Sequence, residues 1–213
     1  MMGHRKILAV IGAGHLGQQI AHIALTDEHY SKVVFFDDFK DGEKVNGHKV
    51  IGAIKDVTRA FKNEEFHELL IGIGYKHMEF RTKLFLEFKD NIPYGNIIHS
   101  TCIIDKSVVL GVGNVIYPGS ILDANVELDD NILLNIGVCI AHDSKIRSHC
   151  FVSPRVALAG FVEIGEESVL GISTVVIDNI TIAPRVQTGG GTLVVKNIES
   201  KGLYLGSPAR YIR

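Results

Sequence analysis

The chain has 213 residues, 46% of them hydrophobic and 22% charged, with a formal net charge of -2. That length allows one or two domains with real cores, and mixed charge without a basic block argues against nucleic acid or an anionic membrane as the main partner. No apolar run approaches the ~20 residues that span a bilayer, and the opening MMGHRKILAVIGAG enters a strand-like run directly, unlike a signal peptide.

Lys6 to Ile11 forms a short apolar run followed by Gly12-Ala13-Gly14-His15-Leu16-Gly17 and an amphipathic stretch to about Thr26, which reads as strand, glycine turn, helix. A second strand, Val33 to Phe36, ends in Asp37 and Asp38, about 20 residues past the last glycine, as in a nucleotide-binding βαβ unit. The glycines let backbone approach a diphosphate, and the helix start offers N–H groups to it. Asp41-Gly42 reads as a turn, Lys49 to Ile51 as a short extended piece, Lys55 to Phe61 as a helix, and Leu69 to Ile73 as the next buried strand. Gly72, Gly74 and Tyr75 follow that strand, then a helix from about His77 to Phe88 that offers Met78, Phe80, Leu84, Phe85 and Phe88 for packing. Three or four parallel strands are expected, half of a dinucleotide fold. A dehydrogenase would need a second mononucleotide half and a catalytic domain, so a nucleotide-sugar site or a plain structural turn fits the glycines better.

From Ile98 onward an aliphatic residue returns at every sixth position for fifteen positions, ending at Ile182; the register passes through Thr188 and recovers at Val194. Four residues after each of these lies a small or β-branched residue, with only Asn114 breaking the second track. A period of six fits neither a helix nor a simple strand; it is the signature of a β-solenoid with three hexapeptides per triangular coil and a continuous core, here about five coils. Cys102 and Cys150 fall on the small track, which assigns them to the interior and fits a reducing cytoplasm better than disulfide or metal roles.

These repeats resemble the left-handed β-helix of hexapeptide-repeat acyltransferases. The whole chain is similar to bacterial nucleotide-sugar N-acetyltransferases acting on 4-amino sugars, of the bacillosamine and perosamine type, and to the related sialic acid O-acetyltransferases. The carriers are GAGHLG, Asp37-Asp38, the run Ile71 to Gly74 with Arg81 after it, Asn135 to Asp143 (NIGVCIAHD), Ala159-Gly160 and Gly206 to Arg210. The resemblance implies a Rossmann-like nucleotide-sugar-binding domain over 1–94 and a left-handed parallel β-helix over 95–213. It further implies acetyl transfer from acetyl-CoA to a sugar amine, no metal, a homotrimer and a cytoplasmic enzyme.

On that resemblance His142 is the general base, since an imidazole titrates close to neutral pH, and Asp143 orients it. Gly12, Gly14, His15, Asp37, Asp38 and Gly74 are expected to bind the nucleotide sugar, with Asn135 on the coil. Ala159, Gly160, Gly171, Ile172 and Gly190 would line the cofactor's path, with a backbone N–H at Ala159-Gly160 donating to the thioester carbonyl, and Lys196 and Arg210 would meet its phosphates. One departure stands out: the bacillosamine-type enzymes carry a second histidine where this chain has Phe151. Alternatives carried alongside are sugar O-acetylation, a zinc-dependent solenoid using His142, His149 and His99, and a non-catalytic scaffold.

Overall fold

A computed structural model describes residues 6–40 and 42–213; the first five residues and Asp41, with the turn expected there, lie outside the described residues. Contacts divide the chain after Ile97 into two units.

The first unit is an α/β sandwich. Its strands are β1 (Ile7–Ile11), β2 (Lys32–Phe36), β3 (Lys44–Val45), β4 (His48–Gly52) and β5 (Glu68–Ile71), in sheet order β3-β4-β2-β1-β5. β4, β2, β1 and β5 are parallel, and β3 adds an antiparallel edge. The hairpin between β3 and β4 turns on Asn46 (φ 49°) and Gly47 (φ 82°), the residue pair that a two-residue turn with positive φ favours. The helices are α1 (His15–Thr26), α2 (Val57–Lys62) and α3 (Met78–Phe88). β1 and β2 are near-continuous apolar runs because a parallel sheet is covered on both faces. From α3, Leu84, Phe85 and Phe88 enter the core, while Phe80 remains 43% exposed.

The second unit is a triangular parallel β-helix. Strands of two residues pair with strands 18 positions away, as Leu122 does with Ile104 and Ile140. The three faces are sheets of six, five and eight strands, the last extended by Gly202–Leu205 and by the antiparallel Arg210–Tyr211. The second residue of the two-residue coil strands from Val115 to Leu170 points inward, so Ile116, Leu134, Val152 and Leu170 stack on one wall of the core. On the small-residue track, buried hydroxyls bridge the coils: Ser144 Oγ donates to Ala159 O (3.0 Å) and accepts from Val162 N–H (3.1 Å). Both breaks in the sequence pattern are satisfied in the same way. Asn114 donates to Asp129 O and accepts from Ile132 N–H, and Thr188 Oγ1 meets Thr174 Oγ1 at 2.7 Å and accepts from Gly171 N–H.

The coil turns its corners on a third track that the hydrophobic pattern does not reveal. Every sixth residue from Gly113 to Gly191 has positive φ, including Asn125, Asp143, Arg155, Phe161 and Arg185. Left-handed backbone is costly for residues other than glycine, asparagine and aspartate, and it persists here because ladders on both sides fix the corner.

Candidate functional site

In the first unit, the glycine turn between β1 and α1 and the turn after β5 face each other across an open cleft of about 620 Å³. Gly12, Gly14, His15, Asp37 and Gly74, all expected at a nucleotide site, line it together with Gly72, Ile73 and Tyr75. Gly12 has φ +99°, and a Cβ there would lie 3.0 Å from Gly72 O; nothing lies within 4 Å of a Cβ at Gly14 or Gly74, which leaves their backbone open to a ligand. α1 begins at His15 with no side-chain cap and no acidic residue in its first turn, so its N–H groups are oriented for an anion. Beneath the second turn the buried Arg81 donates to Ile71 O (2.9 Å) and Ile73 O (3.2 Å), pinning the loop that carries Gly72 and Gly74.

The acidic pair does more structural work than its spacing suggests. Asp37 accepts from Ala13 N–H through Oδ2 (2.8 Å) and from Phe39 N–H through Oδ1 (2.9 Å), which closes the glycine turn. Asp38 accepts from Ile54 N–H at 2.8 Å. Both line a second recess of about 230 Å³ with Phe36, Phe39, Ile54, Ile73 and Phe80, so α3's exposed phenylalanine belongs to a cavity wall.

In the second unit, His142 stands on the corner after the strand Cys139–Ile140. Its Nδ1 is 2.9 Å from Asp143 Oδ2, and Asp143 Oδ1 accepts from Asn125 Nδ2 at 3.1 Å. These hydrogen bonds, from His142 first and Asn125 second, hold the Asp143 carboxyl below its usual range, so it is an anion throughout the neutral range. With the proton on Nδ1, where a carboxylate favours it, Nε2 keeps its lone pair and can accept a proton. The imidazole is about half exposed. Asn125 lies one coil before Asp143, and Phe161, whose ring is 5.2 Å from the imidazole, one coil after it. Neither was singled out from the sequence; the usable signal is a spacing of 18 from a candidate residue, which places side chains on the same corner.

Gly160 stands one coil from His142, and a Cβ there would fall 2.7 Å from His142 Cε1 and 2.8 Å from Nε2. Absence of a side chain is what leaves the imidazole its place. Gly160→Ala is therefore expected to displace the ring while leaving stability within about 0.5 kcal/mol, because the colliding group is a rotatable side chain. The measurable outcome is a fall in kcat of roughly tenfold or more with an unchanged melting temperature, since small misplacements of a reacting group are costly.

The remaining expected residues are dispersed. Asn135 lies at the opposite edge of the face formed by Cys139–Ile140, and its Oδ1 accepts from Ile136 N–H, so one coil does not bring it to His142. Ala159 N–H is spent on Val176 O, which leaves Gly160 as the member of that pair for any donation to a carbonyl. Gly171 is required by coil stacking, since a Cβ would meet Thr188 O at 2.6 Å, and a Cβ on Gly190 would meet Ile172 at 3.0 Å. Ile172 is 53% exposed, and Lys196 and Arg210 are exposed. His149 is buried with Nδ1 3.0 Å from Asn131 Nδ2, and Phe151 is buried as well. Among the described residues no group of three or more His, Cys, Asp or Glu is arranged to hold a metal ion.

Residues 7–87 match the family model described as PglD N-terminal domain. The acetyltransferase domain of PglB from Neisseria gonorrhoeae FA1090 superimposes with a TM-score of 0.87 at 27% identity, covering 97% of this chain and 100% of that one. A histidine-to-alanine mutant of GDP-perosamine N-acetyl transferase from Caulobacter crescentus, in complex with CoA and GDP-perosamine, superimposes with a TM-score of 0.91 at 25% identity, covering 100% and 98%. A curated relative, UDP-3-O-acylglucosamine N-acyltransferase from Bordetella pertussis, is 30% identical over 103 residues, 48% of this chain; the chain spans only 28% of that relative's length. The first unit thus matches the PglD N-terminal domain family, and the chain as a whole has the fold of these N-acetyltransferase structures, a small α/β domain followed by a left-handed β-helix.

Proposed function

We propose that this protein moves an acetyl group from acetyl-CoA to the amino group of a nucleotide-linked amino sugar, with His142 as general base. The observation that carries the reading is the His142–Asp143 pair on a corner cleared by Gly160, in a chain that also carries a glycine-lined cleft suited to a diphosphate. The gonococcal PglB domain has been solved with acetyl coenzyme A and the Caulobacter enzyme with CoA and GDP-perosamine, which supports the same two ligand classes here.

In the reaction the sugar nitrogen forms a bond to the thioester carbonyl carbon and the carbon–sulfur bond breaks. The proton lost by the nitrogen passes to His142 Nε2, and the released thiolate of CoA takes up a proton. Asp143 stabilises the imidazolium that forms. In the first unit, the α1 N-terminus and the Gly12–Gly14 backbone would hold the diphosphate, and Asp37 would act by keeping that turn closed.

A homotrimer is part of the proposal. The outward row of one β-helix face is Ile103, Ile121, Cys139, Ala157, Val175 and Leu193, whereas the next face presents Val109 followed by Glu127, Lys145, Glu163 and Thr181. Ile103 is 65% and Val175 42% exposed, an apolar stripe of the sort that self-association covers. Asn135 and His142 flank this face on its two edges, so neighbouring copies would bring together what a single coil separates. The reaction belongs in the cytoplasm, in keeping with three free cysteines.

The test is thiol release from acetyl-CoA with a panel of UDP-, GDP- and dTDP-amino sugars and free sialic acids, alongside sedimentation. Turnover with an amino sugar at a mass of three chains is expected. Turnover with sialic acid alone would move the assignment to O-acetylation, and no turnover with any member would overturn both.

A further inference from the structure

Phe161 places an exposed apolar ring on one of the coil's left-handed corners. It holds a left-handed φ of 57°, which is rare for a bulky residue, and its ring is 56% exposed, so burial does not offset the strain. The residues one coil before and after it on the same corner are Asp143 and Asn179, with Asn125 one coil further back; short polar side chains of this kind tolerate such backbone. What Phe161 touches is His142. The two rings lie 5.2 Å apart and nearly perpendicular, at 88°, and Phe161 N–H donates to His142 O at 3.1 Å.

We propose that Phe161 is a positioning residue that, together with Asp143, holds the His142 imidazole in its productive orientation by ring contact from the following coil. The geometry gives each neighbour a distinct part. Asp143 draws Nδ1 by a hydrogen bond of 2.9 Å, and Asn125 anchors Asp143. Gly160 leaves the ring its space. The hydrogen bond to Asp143 alone leaves a half-exposed imidazole free to exchange it for water and swing about its Cα–Cβ bond. A rigid apolar ring in edge contact with the imidazole limits that freedom and keeps water from part of its surface. The left-handed corner belongs to the coil as a whole; what is particular to Phe161 is that from this corner its ring meets the imidazole.

The inference rests on His142 being the base, and the experiment separates the two. Phe161→Asn puts at this corner a residue that the same column already carries at positions 125 and 179, and Phe161→Tyr keeps the ring. Phe161→Asn is expected to fold with a melting temperature equal to or above that of the parent and KM values within twofold, while kcat falls roughly five- to twentyfold. Phe161→Tyr should stay within twofold of the parent. Nitrogen-detected spectra of the histidine rings, with His142 assigned by its loss in His142→Ala, read placement without turnover. The parent should show the Nδ1–H tautomer, and Phe161→Asn a mixture. An unchanged tautomer pattern in Phe161→Asn overturns the proposal whatever happens to kcat, and so does an unchanged kcat when His142→Ala is inactive. If His142→Ala keeps the parent's kcat, the reading of His142 as base fails, and the proposal falls with it even where the spectra change. Should Phe161→Asn not fold, Phe161→Gly takes its place under the same criteria.

Discussion

Replacing His142 by alanine is expected to lower kcat by roughly 10² to 10⁴, with acetyl-CoA binding and the oligomer unchanged. The side chain is half exposed and sits on a corner whose fold depends on the ladder hydrogen bonds of its neighbours, such as Ala141 N–H to Leu158 O and Asp143 N–H to Ala124 O, so its removal leaves packing intact. What is lost is an acceptor for the proton of the attacking amine. An amine that titrates at about pH 8, like an α-amino group, is increasingly free of that proton as pH rises, so the variant should recover part of its rate toward alkaline pH. Asp143→Asn should show the same trend with a smaller loss, because in a site this open to water the carboxylate orients the ring without being its sole restraint. Steady-state kinetics over about pH 6 to 9 decide the matter, and a His142→Ala enzyme within twofold of the parent across that range removes His142 from the mechanism.

The second large effect is expected at Gly17, the third glycine of the turn. A Cβ there would lie 1.9 Å from Gly12 O and 3.5 Å from Phe35 Cε1, and a Cβ on Gly72 would come within 2.9 Å of the Gly17 Cα. No rotamer relieves a collision with backbone, so α1 must move away from β1, and Gly17→Ala should destabilise the first unit by about 3 kcal/mol. For a unit of this size that corresponds to a fall of roughly 10–20 °C in its melting temperature. All three α-helices of the described residues belong to this unit, so helical circular dichroism follows it separately from the β-helix, which has its own core. The expected outcome is early loss of the helical signal and of nucleotide binding while the β-sheet signal persists. An unshifted helical transition would show that the turn can open at little cost.

The β-helix was legible because a repeat states the same thing many times: a single ambiguous aliphatic such as Ile140 decides nothing, but fifteen at one spacing line the inner walls of all three faces. The N-terminal strands and helices were legible in outline for a different reason, the change of periodicity across the GAGHLG turn. The Asn46-Gly47 hairpin carried a signal as strong as any and still went unassigned, because β3 is only two residues long. Asp37 marks the end of β2 as its spacing indicates, while the hydrogen bonds its carboxylate accepts from Ala13 and Phe39 N–H are not visible from spacing. His142 and Asp143 are adjacent in the chain and so could be matched by motif. Their supports, Asn125 and Phe161, are remote in sequence and become neighbours only once the coil length is known.

The pairing of successive coil strands 18 positions apart also governs how the protein can change length. Since each turn rests only on its neighbours, gain or loss of eighteen codons adds or removes one storey and leaves all faces aligned. Gain or loss of six preserves the aliphatic rhythm and the left-handed corners, so the segment still closes as a coil, but everything beyond it is turned by one face. Cut between residues 143 and 160, such a deletion would take Gly160 and Phe161 from the His142 corner and interrupt the apolar stripe that runs from Ile103 to Leu193. Lineages descended from a common ancestor should therefore differ in solenoid length by whole storeys where the site is retained, and by single hexapeptides only beyond it.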